Sequence, residues 1–179
     1  DLGVEDTLIK LENSFQQGTK LVQIREPTMI KNDLRLFAHK VVELAHYYGV
    51  KVLMNGDTEL SREVDVDGVH FPSAQLMAAT SRPEANLCGA SGHNVEELFQ
   101  AERLGMDFVV LGPVLPTLSH PRATPMGWRK FAQIIRDFPL PVYALGGMKL
   151  EDLTTSWEHG SHCISMIRGL LFLVILFHI

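Results

Sequence analysis

Hydroxyl, imidazole and guanidinium groups recur in this chain at one kind of place, just past a short apolar run. The run LGPVLPTLSHP (Leu111 to Pro121) carries Thr117, Ser119 and His120 in a loop stiffened by Pro113, Pro116 and Pro121. A turn needs Gly or Pro, but not two hydroxyls and an imidazole in succession. The loop therefore carries polar groups that a plain connection does not call for. In QIRE, Gln23 and Arg25 stand two apart, a spacing that points both side chains the same way on a strand. The guanidinium of Arg25 suits phosphate, while pairing with Glu26 is the plainer reading. In GASGHN, Ser91 and His93 follow another apolar run. His93 can move a proton near neutral pH or simply cap the helix that begins near Asn94. In ALGGMKLEDL, Gly146 and Gly147 precede a helix. Backbone N–H groups and a helix N-terminus there would attract an anion, although a tight turn needs the same glycines. Asn55, Asp57, His70, Ser165 and Arg168 extend the series of run ends.

Other chemistries lack their residues. There is no Walker A loop, no dinucleotide fingerprint and no nucleophile elbow around Ser91. His159, His162 and Cys163 are close in sequence, but a helix end and a strand start separate their directions, so no metal site is assigned.

Such run ends matter only if one architecture gathers them. Strands are expected at Lys20 to Ile24, Val50 to Met54, Gly68 to Phe71, Leu87 to Ser91, Asp107 to Gly112, Pro141 to Gly147 and His162 to Ile167. All are short, apolar or β-branched, and bounded by Gly, Pro or polar residues. Amphipathic stretches lie between them, from Asp33 towards Tyr48, after Asn94, from Trp128 to Phe138 and from Leu150 to Gly160. Alternation of this kind predicts an α/β domain with a parallel sheet. Seven strands and an opening helix with no strand before it suggest a (β/α)8 barrel lacking its first strand. An open doubly wound sheet is the alternative. Both folds put chemistry at the C-terminal ends of the strands, where this chain places its polar residues.

Composition narrows the classes. With 179 residues, 46% hydrophobic and 21% charged, the chain reads as one globular domain over 1–179. A net charge of −5 without a basic cluster argues against nucleic acid as a partner. Cys88 and Cys163 sit in apolar stretches, as buried thiols of a cytoplasmic, reducing setting do. The apolar run Leu170 to Phe177 has eight residues, against about 20 for a membrane span. It reads as a buried terminal helix or strand, or as the interface of a homodimer.

From Lys20 to Leu170 the chain resembles the thiamin phosphate synthase superfamily of (β/α)8 barrels, which includes the thiazole tautomerases. The landmarks are LVQIRE, LMNGD, DGVHF, GASGHN, LGPVLPTLSH, ALGGM and ISMIRG, in that family's order. GPVLPTLSHP followed by GW resembles the branch that stands behind a Nudix hydrolase domain, which would here precede residue 1. The resemblance implies that Gln23 and Arg25 hold the pyrophosphate of a pyrimidine substrate and that Asn55 touches the pyrimidine. Ser91 joins this substrate-binding set. The resemblance further implies that Thr117 and Ser119 hold phosphate, with His120 where Lys is usual. Gly146, Gly147, Ile167 and Arg168 fall at the thiazole phosphate site. His93 matches the acid/base proposed for the tautomerase. The departures are Pro27 in place of a Lys, and Gly56 and Gln75 in place of two magnesium-binding Asp residues. Tautomerase-type proton transfer through His93, needing no cofactor, is therefore the leading expectation. Magnesium-dependent synthase activity, joining a pyrimidine pyrophosphate to a thiazole phosphate, is the alternative, and a non-catalytic ligand-binding domain is the third.

Overall fold

The computed structural model describes residues 3–118, 121–167 and 172–176. The chain opens with helix α1 (Val4–Gln16) and strand β1 (Thr19–Ile24). Helix α2 (Lys31–Tyr47) and strand β2 (Lys51–Asn55) follow. Then come α3 (Thr58–Val64), β3 (Gly68–Phe71), α4 (Ser73–Ala78) and β4 (Leu87–Gly92). The second half holds α5 (Val95–Arg103), β5 (Phe108–Leu111), α6 (Gly127–Ile135) and β6 (Val142–Leu145). It ends with α7 (Leu153–Glu158), β7 (Cys163–Ile167) and β8 (Phe172–Leu176).

All seven expected strands form, each within a few residues of the sequence estimate, and β1 to β7 pair in parallel in chain order. The sheet closes on itself, which rules out the open doubly wound alternative. Closure comes from an element of another kind than expected. β8 lies antiparallel between β7 and β1, where a (β/α)8 barrel would have a parallel strand. The described part of the terminal apolar run is thus a strand paired along both edges, in line with the expectation of a terminal helix or strand. Short apolar residues pair as readily in either direction, so direction had no signature in the sequence.

Two helices escaped the sequence reading, α3 and α4. Both are shorter than two full turns and carry no sustained periodicity. Asp57 does mark the start of α3, since its carboxylate accepts the Leu60 N–H at 2.8 Å. Asn94 caps α5 in the expected way, accepting the Glu97 N–H at 2.9 Å. Each such cap stabilises a helix by about 1 kcal/mol.

Period-two alternation sorts the strand residues into two faces. One face packs against the helices. Val22, Ile24, Val52 and Met54 meet Leu11, Phe37, Val41 and Leu60, and Val69, Ala90, Val109 and Ile164 meet Leu98, Phe131 and Ile135. The other face fills the barrel with Leu21, Leu53, Phe108, Val110, Tyr143 and Cys163. Both cysteines are buried and neither is in a disulfide. No described helix is long and apolar enough to cross a membrane.

Candidate active site

The residues two places beyond the inner core continue the same inner face towards the C-terminal mouth. Leu21 is followed by Gln23, Leu53 by Asn55, Gly68 by His70, Gly89 by Ser91, and Cys163 by Ser165. The barrel therefore changes from apolar to polar within one alternation. Phe108 and Tyr143 form the floor, edge to face with centroids 5.5 Å apart, and His70 lies 6.1 Å from the Phe108 ring.

Two hydrogen-bonded pairs line this inner face. Gln23 Nε2 donates to Asn55 Oδ1 at 2.7 Å, and His70 Nε2 lies 2.9 Å from Ser91 Oγ. Each pair leaves an atom over. Among the described residues, four buried side-chain polar atoms lack a partner, and three of them are Gln23 Oε1, His70 Nδ1 and Ser165 Oγ. Buried polar groups are almost always paired, and each exception calls for a cause. Three exceptions on one inner face fit a ligand that supplies their partners. Burial, and then the positive charge of Arg25, push the His70 pKa down to about 3. His70 is thus a neutral hydrogen-bonding group at pH 7.

The opposite side of the mouth is made from backbone. Val114 N–H donates to Leu145 O at 2.7 Å and Leu115 N–H to Gly146 O at 3.1 Å. These bonds tie the loop after β5 to the loop after β6. Gly147, with φ +68°, lies so close to this loop that an added Cβ would strike the Pro116 carbonyl oxygen. Thr117 and Gly147 are therefore on neighbouring loops, as an anion site would need. Ser119, His120 and Arg168 lie outside the described residues, and for Ile167 only the backbone is described. The helix expected after Gly147 starts instead as a 3-10 turn over Leu150–Asp152. There Asp152 accepts the Lys149 N–H at 2.8 Å, so its own carboxylate occupies that helix start.

His93 is exposed at the rim between β4 and β5. Its Nδ1 lies 2.6 Å from Gly112 O. A carbonyl only accepts, so Nδ1 carries a proton, and in the neutral tautomer this leaves the lone pair on Nε2. The sequence offered no carboxylate partner for His93, and the structure supplies a carbonyl from the neighbouring strand end. Its backbone N–H also donates to Glu97 at 2.6 Å, which serves the helix start.

The family model described as thiamine monophosphate synthase matches residues 2–170. The chain belongs to this family. A putative thiamine-phosphate synthase 2 of Aquifex aeolicus is 32% identical over 169 residues, covering 93% of this chain and 91% of that protein. A thiamine-phosphate synthase of Desulfitobacterium hafniense is 32% identical over 175 residues, covering 95% and 84%. The solved thiamine phosphate pyrophosphorylase of Pyrococcus furiosus superposes with a TM-score of 0.75 at 20% identity, over 90% of this chain and 79% of that one. This last likeness is one of fold.

Within the family frame, two residues of the inner face gain weight that the motifs alone did not give them. His70 and Ser165 were visible only as polar residues at strand ends. Their signal was the alternation, since each stands two places beyond an inner-face residue. The positions expected for metal-binding carboxylates, 56 and 75, do lie in contact. Gln75 Nε2 donates to Gly56 O at 3.0 Å. A glycine and a neutral amide do not fit a magnesium ion, which prefers carboxylate oxygens.

Proposed function

We propose that the mouth binds an aminopyrimidine ring and a phosphorylated thiazole and joins them in the manner of a thiamine-phosphate synthase. A C–N bond to the thiazole nitrogen would form as the C–O bond to pyrophosphate breaks. The names of the curated relatives support this reading, and the observation that carries it is the inner face of the mouth. Gln23 Oε1 offers an acceptor to an amino group, and His70 Nδ1 and Ser165 Oγ offer two further contacts to a ring. Thr117, Gly146 and Gly147 are described parts of a phosphate seat that Ser119, Ile167 and Arg168 would complete. Family relatives make magnesium a natural cofactor, but Gly56 and Gln75 do not fit it, so no step is assigned to a metal. Arg25 is then the described rim charge available to the leaving pyrophosphate, and turnover should be slow. The test mixes the pyrimidine diphosphate ester with the thiazole phosphate at enzyme excess and follows the joined product by mass. Product formation that falls with Gln23→Ala supports the reading, and no product at enzyme excess overturns it.

The His93 geometry favours a second reading, tautomerase-type proton transfer on a thiazole phosphate. With Nδ1–H held by Gly112, Nε2 is set to accept a proton from a bound ring. In both readings the residues 1–179 act as one barrel domain of cytoplasmic type, and a full (β/α)8 barrel would have a parallel strand where β8 stands. Placement in the Nudix-linked branch rests on GPVLPTLSHP and GW alone.

A further inference from the structure

We propose that this mouth takes its aminopyrimidine-class ligand without a divalent cation, because the contact between Gln75 and Gly56 fills the place of a metal bridge. The proposal rests on the ring reading given above and adds how the ligand's charge is met. Gln75 Nε2 is spent on the Gly56 carbonyl at 3.0 Å. Gln75 Oε1 lies 3.1 Å from where a Cβ on Gly56 would stand. Any side chain at position 56 would therefore press on this amide. Gly56 is fixed from the other side as well, since its N–H donates to His70 O at 2.9 Å. The clasp thus joins the loop after β2 to α4 and to the strand that carries His70.

The one carboxylate beside the clasp, Asp57, does not replace what is missing. One of its oxygens caps α3 through the Leu60 N–H. Its charge also acts on Lys31, whose pKa is raised first by the Glu59 hydrogen bond and further by Glu59, Glu63 and Asp57. Asp57 thus has a cation nearby at the start of α2. Among the described residues, no three His, Cys, Asp or Glu side chains gather into a group able to hold a metal. A hard divalent cation needs several oxygen ligands, usually with one or two carboxylates, and positions 56 and 75 supply no carboxylate.

Among the described residues, what remains is a site of neutral groups with Arg25 at its rim. His70 stays uncharged at neutral pH, the Gln23 and Asn55 amides are neutral, and Arg25 lies close enough for its charge to act on His70. Such a site suits an uncharged amino-substituted ring whose phosphate or pyrophosphate is met by Arg25 without a metal.

The test is calorimetry with an aminopyrimidine alcohol, its monophosphate and its diphosphate, each in chelator and in excess magnesium. The expected result is binding of all three compounds with Kd values that magnesium changes by less than about twofold, the diphosphate included. Tightening of the diphosphate by magnesium of about tenfold or more would overturn the proposal while leaving the ring reading intact. Failure of all three compounds to bind in either buffer would overturn both. A second measurement uses manganese as a paramagnetic probe. The double variant Gly56→Asp, Gln75→Asp shortens the residue that presses on position 56 and restores two carboxylates. It should gain manganese binding that the parent lacks, and equal binding by the parent would also overturn the proposal. Should the variant not fold, the calorimetry on the parent decides alone.

Discussion

The two sides of the barrel mouth are built from different materials. On β1 to β4 and on β7 the polar groups are side chains that continue an inner face, two pairs of them wired at 2.7 and 2.9 Å. On β5 and β6 the structure relies on backbone, with loop carbonyls tied to loop amides and Gly147 packed against Pro116 and Leu115. The first side stores unmet hydrogen bonds, and the second stores a close approach. A substitution on the first side should therefore change stability through charge and polarity. On the second it should act through steric overlap.

The largest expected effect tests the polar side. An unfolded His binds a proton near pH 6.5, and folded His70 does so only near 3. Between those values the unfolded chain holds a proton that the folded chain does not, so stability falls as pH falls. The loss is up to about 1.4 kcal/mol per pH unit, of order 5 kcal/mol across the window. Above pH 6.5 the effect is absent. Urea unfolding of the parent and of His70→Asn at a series of pH values isolates it. The difference in stability between the two should move in the parent's disfavour as pH drops below 6.5. Parallel curves would show that His70 is not held neutral by the fold.

The backbone side is broken by Gly147→Ala. A left-handed backbone disfavours the added Cβ, and the Cβ also meets the Pro116 carbonyl oxygen and, at 2.9 Å, Leu115. Strain and overlap together should cost roughly 2–4 kcal/mol, seen as a lower thermal midpoint. A midpoint within a degree of the parent would mean that the loops after β5 and β6 are not locked together.

A smaller effect of opposite sign tests whether the polar side is held for a ligand. Ser165 Oγ is buried with no partner among the described residues. Ser165→Ala removes a hydroxyl that is costly to bury, so stability should rise by about 1 kcal/mol. Affinity for the aminopyrimidine should fall. Gain in one and loss in the other would sharpen the contrast between the two sides, whereas lower stability would show that the hydroxyl is already paired.

These sites differ in how far the sequence disclosed them. Gln23, Asn55, Ser91 and the strands beneath them were legible because alternation and short apolar runs are local signals. The inner-face role of His70 was readable from the same alternation but carried no motif of its own. The pairing of Gln75 with Gly56 was not readable, since it joins a loop to a short helix that lacks periodicity. The antiparallel course of β8 was hidden for a similar reason: Phe172–Leu176 is apolar throughout, and nothing in it encodes direction. The carbonyl partner of His93 comes from Gly112, whose backbone carries no side-chain identity to detect. Long-range backbone contacts are thus the part of this site that the sequence leaves unwritten.

His93→Asn is the smallest expected change in stability and the one that separates the two catalytic readings. The ring is exposed and loses one hydrogen bond, to Gly112 at 2.6 Å, so the cost should be about 0.5 kcal/mol. Asn94 still caps α5 through the Glu97 N–H, so the helix start survives. If Nε2 takes a proton from a thiazole ring, isomerisation should slow by about 100- to 10,000-fold with phosphate binding intact. The synthase reading routes no proton through His93 and predicts joining of pyrimidine and thiazole at nearly the parent rate. Both turnovers and the thermal midpoint are measured on the same sample. Loss of isomerisation alone assigns His93 as the base. Unchanged isomerisation in a folded variant removes the tautomerase reading, and His93 then serves to join the ends of β4 and β5 through its bond to Gly112.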